Sequence, residues 1–329
     1  MNVTVLGAGA WGTALARLLS LGGHRVTLWG HDPAHLSEVR LAQCNARYLP
    51  SVLLPGDWIF ETDANKAVAD ADGVVVAVPS KAFREVTQQC LASFGHVVVS
   101  VTKGIEHNTG LTMSGLLLDT APSARAAALS GPTFASEVAR DIPTACVAAS
   151  ADPDTAQIVQ GLFHCPSFRV YTSTDLLGVE MGGALKNVIA IAAGVGDGLG
   201  FGDNSKAALI TRGIVEIRRL GVACGAQAET FAGLSGLGDL TVTCFSKLSR
   251  NRSLGERLGR GERLSDILAS TATVAEGLPT AQSAFQLARK VGVSTPIIDE
   301  VYAMLYEDKD VAQAVRDLMT RDSKAEAAE

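Results

Sequence analysis

Two lysines lie where the surrounding residue types favour proton-transfer chemistry. Lys186 interrupts an apolar stretch rich in small residues, 180–194, whose periodicity predicts a buried helix. A buried ammonium is costly unless it has a partner or a function, and a lysine with a perturbed pKa can protonate a carbonyl oxygen. Lys103 lies two residues beyond the buried run 97–101, where it can contact a ligand at the carboxyl end of a strand. The alternative for both is a lysine that extends to solvent or pairs with an acid for structural reasons.

A polar cluster further along the chain could complete a site around these lysines. Asp239 could pair with Lys186 and orient it. Arg250 offers a planar guanidinium suited to phosphate, and its neighbours Ser249 and Asn251 supply neutral hydrogen-bond donors. A helix predicted to begin just beyond them would add N–H groups that favour an anion. The alternative for this triplet is a solvated surface stretch.

The glycines near the start of the chain form a turn suited to a dinucleotide. Gly7, Gly9 and Gly12 fit G-x-G-x-x-G between a strand predicted over 3–6 and a helix predicted over 13–21. The first glycine permits a tight turn, the second lets the backbone approach a pyrophosphate, and the third lets helix and strand pack closely. The pattern therefore predicts a dinucleotide site, with a purely structural glycine turn as the alternative.

The corner after the second predicted strand, 25–29, bears on which dinucleotide binds. Gly30, His31 and Asp32 follow this strand, so the carboxylate typical of strict NAD use is missing at the strand end itself. His31 could tolerate the 2′-phosphate of NADP, or it could be a solvated loop residue. We therefore expect an NAD(P) cofactor, with NADP favoured and NAD left open.

The elements that position these residues alternate between strand and helix in the first half of the chain. Continuous β-branched runs at 74–78 and 97–101 are typical of parallel strands buried on both faces. This alternation predicts an α/β fold with a doubly wound sheet of the Rossmann type over residues 1–178. The run 126–129 is interpreted as a further strand, although its residues favour a helix.

From about residue 176 onward, strand-like runs nearly vanish and helical patterns dominate. They predict an all-helical C-terminal domain over residues 179–329, which would carry the catalytic lysine. The glycine-rich segment 194–203 is interpreted as a loop. The predicted helices are 180–194, 205–220, 253–258, 280–291 and 297–305.

Composition excludes several classes of protein. The 329 residues carry a formal net charge of −6, with 47% apolar and 19% charged residues, which excludes a disordered chain. The acidic balance argues against nucleic acid as a partner, and no apolar run approaches the roughly 20 residues needed for membrane insertion. The first residues lack the basic start of a signal peptide. The six cysteines are scattered, without C-x-x-C, which predicts reduced thiols, a cytoplasmic location and no structural metal.

Nearly the whole chain resembles the family of bacterial NAD(P)-dependent sn-glycerol-3-phosphate dehydrogenases, the soluble biosynthetic type. The segment 202–213, Gly-Asp-Asn-Ser-Lys-Ala-Ala-Leu-Ile-Thr-Arg-Gly, is especially diagnostic. The other shared segments are 7–15, 78–80, 100–106, 130–135, 182–187, 198–201, 234–239, 249–251 and 274–277. The resemblance implies an oxidoreductase that transfers hydride reversibly between NAD(P)H and dihydroxyacetone phosphate, giving sn-glycerol 3-phosphate for phospholipid synthesis.

The resemblance also implies roles for individual residues. Lys186 would be the acid/base group, Lys103 would bind and polarise the substrate, and Asp239 would support them. The residues implied in substrate binding are Lys103, Gly131, Thr133, Lys186, Asp239, Ser249, Arg250 and Asn251. Those implied in cofactor binding are Gly7, Gly9, Ala10, Trp11, Gly12, His31, Tyr48, Lys103, Ala135, Arg250, Val274 and Glu276. Family members often carry Ser at the position of Ala10, so only a backbone contact is expected there.

Two other functions compete with this one. Another dehydrogenase of the superfamily, acting on 6-phosphogluconate or a hydroxyacid, would share the Rossmann and helical domains, but the segments 202–213 and 249–251 speak against it. A non-catalytic dinucleotide sensor would have no use for two lysines, an aspartate and an arginine together. The family adds the expectation of a homodimer. The sequence does not determine the oligomeric state or whether the product inhibits the enzyme. It also does not determine whether Lys103, which lowers the pKa of Lys186, or Asp239, which raises it, has the larger effect.

Overall fold

A single eight-stranded sheet forms the first part of the protein. The structure, a computed structural model, describes residues 1–271, 275–323 and 325–326. The strands are β1 Asn2–Leu6, β2 Arg25–Trp29, β3 Ile59–Glu61, β4 Gly73–Val76, β5 Val97–Ser100, β6 Arg125–Ser130, β7 Thr144–Ala149 and β8 Phe168–Ser173. Their order is β3-β2-β1-β4-β5-β6-β7-β8, which confirms the predicted doubly wound sheet. All neighbouring strands are parallel except β6 and β7, which are antiparallel, so the far edge of the sheet is mixed.

Buried β-branched runs explain the central strands. All four residues of β4 and of β5 are buried, because the sheet carries one apolar core on each face. The strand predicted at 126–129 is confirmed as β6. Three strands, β3, β7 and β8, were not predicted from the sequence, because β3 is short and β7 is rich in alanine, which has low strand propensity.

Seven helices accompany the sheet within the described residues. They are α1 Ala10–Leu21, α2 Pro33–Ala42, α3 Ala64–Val68, α4 Ser80–Cys90, α5 Met113–Thr120, α6 Ala135–Val138 and α7 Pro153–Phe163. Among the helices without a side-chain cap from their own N-terminal residues are α4 and α5. Their N-terminal N–H groups therefore need partners from elsewhere in the chain.

The second part of the described chain consists of helices. They are α8 Leu176–Gly198, α9 Asp203–Ala223, α10 Asp239–Phe245, α11 Arg250–Gly259, α12 Leu264–Ala269, α13 Gly277–Val291, α14 Pro296–Tyr306 and α15 Val311–Met319. A 3-10 turn and a π-helical turn precede α10. The sheet ends at Ser173 and α8 begins at Leu176, which supports the division into residues 1–178 and 179–329; that division stays a prediction.

Close helix packing corrects two expectations from the sequence. The segment 194–203 is not a loop, because α8 continues to Gly198 and only residues 199–202 separate it from α9. A Cβ on Gly194 would lie 1.9 Å from the carbonyl oxygen of Arg252, and one on Gly255 would lie 1.9 Å from that of Ile191. These glycines therefore serve direct backbone contact between α8 and α11 rather than a flexible turn. The helix predicted from residue 253 begins earlier, at Arg250, because Ser249 caps it.

The helix α8 is the centre of the second part. It is the one described helix long and apolar enough to cross a membrane, but 83% of its most apolar window is buried inside the protein. The interior of the helical part supplies the apolar surroundings that its sequence requires. Its apolar composition is therefore that of a core helix.

Two glutamates from the helical part cap α4 and α5 of the sheet part. Glu180, buried in α8, accepts hydrogen bonds from Ser114 N (2.9 Å) and Ser114 Oγ (2.5 Å) at the start of α5. Glu276 accepts hydrogen bonds from Ser80 N (3.3 Å) and Ser80 Oγ (2.6 Å) at the start of α4. Each carboxylate supplies the acceptors that the helix lacks, so the capping bonds also join the two parts of the chain.

Candidate active site

The glycine turn between β1 and α1 has the shape of a dinucleotide cradle. Gly7 has φ +126°, and a Cβ there would lie 2.6 Å from the carbonyl oxygen of Ala77. A Cβ on Gly12 would lie 1.9 Å from the carbonyl oxygen of Gly7, whereas nothing lies within 4 Å of one built on Gly9. No side chain caps α1 and its first turn, which contains Ala10 and Trp11, has no acidic residue. The free N–H groups of this turn therefore fit a pyrophosphate.

The carboxylate at the corner after β2 caps a helix through one of its oxygens. Asp32 caps α2, accepting hydrogen bonds from Ala34 N (3.0 Å) and His35 N (3.2 Å). Both backbone hydrogen bonds lower the pKa of the Asp32 carboxyl, and the bond from His35 N has the larger effect. His31 is exposed beside it. The late position of Asp32 in the sequence therefore reflects a capping role.

A neighbouring segment is fastened to the glycine turn. Asn45 Nδ2 donates to the carbonyl oxygen of Ala8 (3.0 Å) and to Thr13 Oγ1 (2.8 Å). Tyr48 packs edge-on against the ring of His35, with the ring centres 5.2 Å apart. The segment that carries Asn45 and Tyr48 is therefore held against the start of α1 and the start of α2.

The two candidate lysines share one buried carboxylate. Lys186 of α8 donates to Asp239 Oδ1, and Lys103, three residues beyond β5, donates to Asp239 Oδ2. Asp239 begins α10 and is 1% exposed. Lys186 also donates to Thr243 Oγ1 (2.8 Å), one turn further along α10. The pairing of Asp239 with Lys186 that the sequence suggested is confirmed, and its second bond to Lys103 is additional.

Burial decides the acidity of Lys186. Removal from water lowers its pKa to about 8, and the positive charge of Lys103 acts in the same direction. The carboxylate of Asp239 opposes both effects. The question that the sequence left open is thus answered by a third effect, desolvation, which outweighs the opposing charge of Asp239.

The loop after β6 faces the same site. Lys103 Nζ donates to the carbonyl oxygen of Gly131 (3.2 Å), and Thr133 Oγ1 donates to the same oxygen (3.2 Å). Gly131 has φ +152°, and a Cβ there would lie 2.9 Å from Cys146 Cα, so a larger residue would not fit. Ala135 follows as the first residue of α6. The adjacent ends of β5 and β6 therefore bring Lys103, Gly131 and Thr133 together.

The start of α11 presents one exposed cation. Ser249 caps the helix by accepting a hydrogen bond from Arg252 N (3.2 Å). Arg250 is exposed and has no ion pair with any described residue. Asn251 is buried instead, donating to Asn187 Oδ1 (2.8 Å) and accepting from Gly277 N (2.9 Å). Of the three, Arg250 has the side chain that is free to meet a ligand.

One of the two remaining cofactor candidates, Glu276, lies at the start of α13. Glu276 directly precedes α13 and holds Ser80 at the start of α4. Val274 lies outside the described residues. Glu276 therefore stands at the carboxyl edge of the sheet, next to the strand ends that a dinucleotide would cross.

Two polar residues of the site were missed from the sequence. Thr243 bonds Lys186, and its spacing of four residues from Asp239 would have indicated it once α10 was recognised as a helix. Asn187 directly follows Lys186 and holds Asn251, a contact between distant segments that no local pattern indicates.

The described part of the chain contains no cluster of side chains suited to binding a metal ion. No group of three or more His, Cys, Asp or Glu side chains is arranged there to hold an ion. The cysteines are all free thiols. The charged groups of the site are instead ammonium, guanidinium and carboxylate, which suit an anionic substrate and proton transfer.

Comparison with known proteins finds one family over both parts of the chain. A family model described as the N-terminus of NAD-dependent glycerol-3-phosphate dehydrogenase matches residues 2–156. The model of the C-terminus of the same family matches residues 175–316.

Curated and solved relatives agree with these matches. The chain is 51% identical to glycerol-3-phosphate dehydrogenase (NAD(P)+) of Syntrophotalea carbinolica over 331 residues, covering 99% of each chain. It is also 51% identical to the enzyme of that name from Geobacter metallireducens over 330 residues, covering 99% of this chain and 98% of the relative. The crystal structure of glycerol-3-phosphate dehydrogenase from Coxiella burnetii is 35% identical, with a TM-score of 0.93 over 97% of this chain and 99% of that one.

Proposed function

This chain belongs to the NAD-dependent glycerol-3-phosphate dehydrogenase family, and we propose that its reaction takes place where Lys103, Lys186 and Asp239 meet. The protein catalyses hydride transfer between NAD(P)H and dihydroxyacetone phosphate, giving sn-glycerol 3-phosphate. The observation that carries the proposed site is the buried carboxylate of Asp239 between two ammonium groups. It lies at the carboxyl edge of the sheet, on the side of the dinucleotide cradle.

Lys186 acts as the proton donor in the direction of reduction. The bound cofactor supplies the hydride that reaches the carbonyl carbon. As the carbonyl oxygen gains negative charge, Lys186 Nζ transfers a proton to it, and in the reverse direction the neutral amine accepts the alcohol proton. A lowered pKa, about 8, suits both directions near neutral pH. Asp239 and Thr243 hold the side chain in place.

Lys103 stabilises the developing charge without donating the proton. Its ammonium is held by Asp239 and by the carbonyl oxygen of Gly131, so it is oriented before substrate binds. A preoriented cation in a partly buried site stabilises an oxyanion more than a solvated one does. We assign Lys103 to polarisation of the ketone for this reason.

Arg250 binds the phosphate of the substrate. Its guanidinium is exposed, unpaired with the described residues, and placed at the start of α11, where helix N–H groups also favour an anion. The phosphate is remote from the reacting carbon, so its binding energy can position that carbon. We assign further neutral polar contacts with the substrate to Thr133 and Ser249, as the family resemblance implies.

The cofactor corner favours NADPH over NADH. Asp32 caps α2 through Oδ1 and lies three residues beyond β2, rather than at the strand end where strict NAD enzymes carry the carboxylate that binds the 2′-hydroxyl. His31 is exposed at the same corner. We expect His31→Glu to lower kcat/KM for NADPH at least about tenfold relative to NADH, because a carboxylate repels the 2′-phosphate. An unchanged ratio would remove His31 from the cofactor site.

The cellular role follows from the reaction. sn-Glycerol 3-phosphate is the backbone of glycerophospholipids, and we propose that the enzyme supplies it for phospholipid synthesis in the cytoplasm. Six free cysteines support a reducing compartment. We propose a homodimer on the basis of the family alone; sedimentation analysis tests it directly.

The direct test is turnover of dihydroxyacetone phosphate. Purified protein is mixed with this substrate, and the loss of NADPH or NADH absorbance is followed. Rapid oxidation is expected with either cofactor, and faster with NADPH. Turnover of 6-phosphogluconate without turnover of dihydroxyacetone phosphate would replace the proposed substrate, and tight NADPH binding without turnover of any ketone would favour a sensor.

A further inference from the structure

An ion-pair cluster joins three helices at a distance from the reacting groups. Asp197, in the last turn of α8, lies 2.6 Å from Lys206 Nζ in the first turn of α9. It also lies 2.5 Å from Arg252 Nη2 in the first turn of α11. The side chains of Asp197, Lys206 and Arg252 are only 13%, 12% and 10% exposed. Lys206 belongs to the segment 202–213, which the proposed chemistry does not use.

The same cluster extends to a fourth helix. Lys206 Nζ lies 5.2 Å from the ring centre of Phe245, the last residue of α10. The cluster therefore contacts all of the helices that carry Lys186, Asp239 and Arg250. It lies eleven residues, about three turns of α8, beyond Lys186 and cannot itself touch the reacting atoms.

Arg252 holds the first turn of α11 from the inside. Its backbone N–H donates to Ser249 Oγ (3.2 Å), and its guanidinium binds Asp197 and Glu256. The two residues before it, Arg250 and Asn251, are those assigned to the substrate end of the helix. Any rotation of this first turn would move all three side chains together, so the anchor of Arg252 sets the direction of Arg250.

Stability alone does not account for this cluster. Desolvation offsets most of the attraction in a buried ion pair, so apolar side chains of similar size would often stabilise the fold equally well. The contact between α8 and α11 is already made by glycines, since a Cβ on Gly198 would lie 2.3 Å from the carbonyl oxygen of Glu256. The glycines set how close the helices lie, whereas the ion pairs of Arg252 with Asp197 (2.5 Å) and Glu256 (3.3 Å) restrict how far α11 can rotate.

We propose that Asp197, Lys206 and Arg252 are positioning residues that fix the first turn of α11, and so direct Arg250 toward the phosphate of the substrate. This inference rests on the proposed function, because it presupposes that Arg250 binds that phosphate. It assigns a role in substrate positioning to the segment 202–213 through Lys206.

The first test compares two arginines of the same helix. Arg252→Met removes the ion pairs with Asp197 and Glu256. Arg257→Met, the control, removes a partly exposed arginine in the last turn of α11 that pairs with Glu262. We expect the KM for dihydroxyacetone phosphate to rise about tenfold in Arg252→Met, with a clearly smaller rise in the KM for NADPH, because the family resemblance assigns Arg250 to the cofactor as well. Arg257→Met should keep the KM values of the unmodified protein for both dihydroxyacetone phosphate and NADPH. A rise in neither KM, or an equal rise in both, overturns the proposal.

A double-mutant cycle separates positioning from general structural damage. Once Arg250→Ala has removed the phosphate contact, adding Arg252→Met should raise the KM for dihydroxyacetone phosphate by less than about twofold. If the KM of the double variant rises by the product of the two single-variant factors, Arg252 acts independently of Arg250, and the proposal is overturned. If Arg252→Met does not fold, Arg252→Lys takes its place in the same cycle. Absence of turnover in the unmodified protein would instead refute the proposed function.

Discussion

At the scale of single residues, one carboxylate serves two ammonium groups. Asp239 accepts from Lys103 and Lys186, so the site carries one excess positive charge before substrate binds. That charge favours the oxyanion that develops as hydride reaches the ketone. Burial makes the effect stronger, because the surrounding protein screens charge less than water does. The shared carboxylate thus provides both orientation and a net positive field.

Removal of the Lys186 ammonium should affect chemistry rather than cofactor binding. We expect Lys186→Met to lower kcat for dihydroxyacetone phosphate reduction by about 10²–10⁴-fold, because the proton donor is lost. The dissociation constant for NADPH, measured by fluorescence titration, should change less than about threefold. Thr211→Val, on an exposed position of α9, is the control and should keep full activity. A comparable loss of NADPH binding in Lys186→Met would contradict the assignment.

The pH dependence should have opposite signs in the two directions of the reaction. Burial lowers the pKa of Lys186 to about 8. Reduction needs the ammonium, so its kcat should fall as pH rises through about 8, whereas oxidation needs the neutral amine, so its kcat should rise over the same range. Initial rates from about pH 6.5 to 9.5 in both directions test this. Profiles with the same slope in both directions would exclude Lys186 as the group that titrates.

At the scale of elements, glycines allow two helices to touch by their backbones. A Cβ on any of Gly194, Gly198, Gly255 and Gly259 would lie 1.9 to 2.4 Å from a carbonyl oxygen of the partner helix. A glycine inside a helix costs roughly 1 kcal/mol relative to alanine. The close contact offsets this cost, because it brings Asn187 of α8 within hydrogen-bond reach of Asn251 of α11.

Two glycine-to-alanine substitutions should change stability in opposite directions. Gly194→Ala places a methyl group 1.9 Å from the carbonyl oxygen of Arg252, and we expect it to lower the free energy of unfolding by about 2–4 kcal/mol. Gly161→Ala, in α7, meets nothing within 4 Å and should raise it by about 0.5–1 kcal/mol. Urea denaturation measures both. Equal effects at the two sites would mean that α8 and α11 are not in backbone contact.

At the scale of the whole molecule, carboxylates from the helical part hold the sheet part by capping its helices. Glu180 caps α5 and Glu276 caps α4, and both helices lack side-chain caps of their own. Burial raises the pKa of Glu180, while its bonds to Ser114 oppose that rise. Lys103 follows β5 of the sheet part, and Lys186 lies in α8 of the helical part. The relative position of the two parts therefore determines the geometry of the site.

Loss of the buried cap should loosen the connection between the two parts. Glu180→Ala leaves Ser114 N and Oγ without their acceptor, so we expect about 1–3 kcal/mol of destabilisation and separate thermal transitions for the two parts. Glu180→Gln keeps one acceptor oxygen and is the control, with a smaller effect. Scanning calorimetry distinguishes one transition from two. A single transition at the original midpoint in Glu180→Ala would show that Glu180 does not join the parts.

Local patterns in the sequence were enough for the elements that carry strong periodicity. The glycine turn, the buried strands β4 and β5 and the apolar helix α8 each have a pattern within one segment. A local pattern also predicted a functional role for Lys186, because a charged residue within an apolar stretch can be recognised without knowing its partner. Family resemblance, rather than periodicity, supplied the substrate and most of the individual site residues.

Tertiary structure decided what depends on contact between distant segments. The glycines at 194–198 suggest a loop locally, but their contact with α11 makes them helical. Asp32 follows the end of β2 closely in the sequence, and only the structure shows that it caps α2. The sequence cannot give the pKa of Lys186 either, because desolvation depends on which side chains surround the ammonium after folding. Local periodicity thus determined the strongly patterned elements, whereas packing between distant segments determined the end of α8, the partners of the polar side chains and the pKa of Lys186.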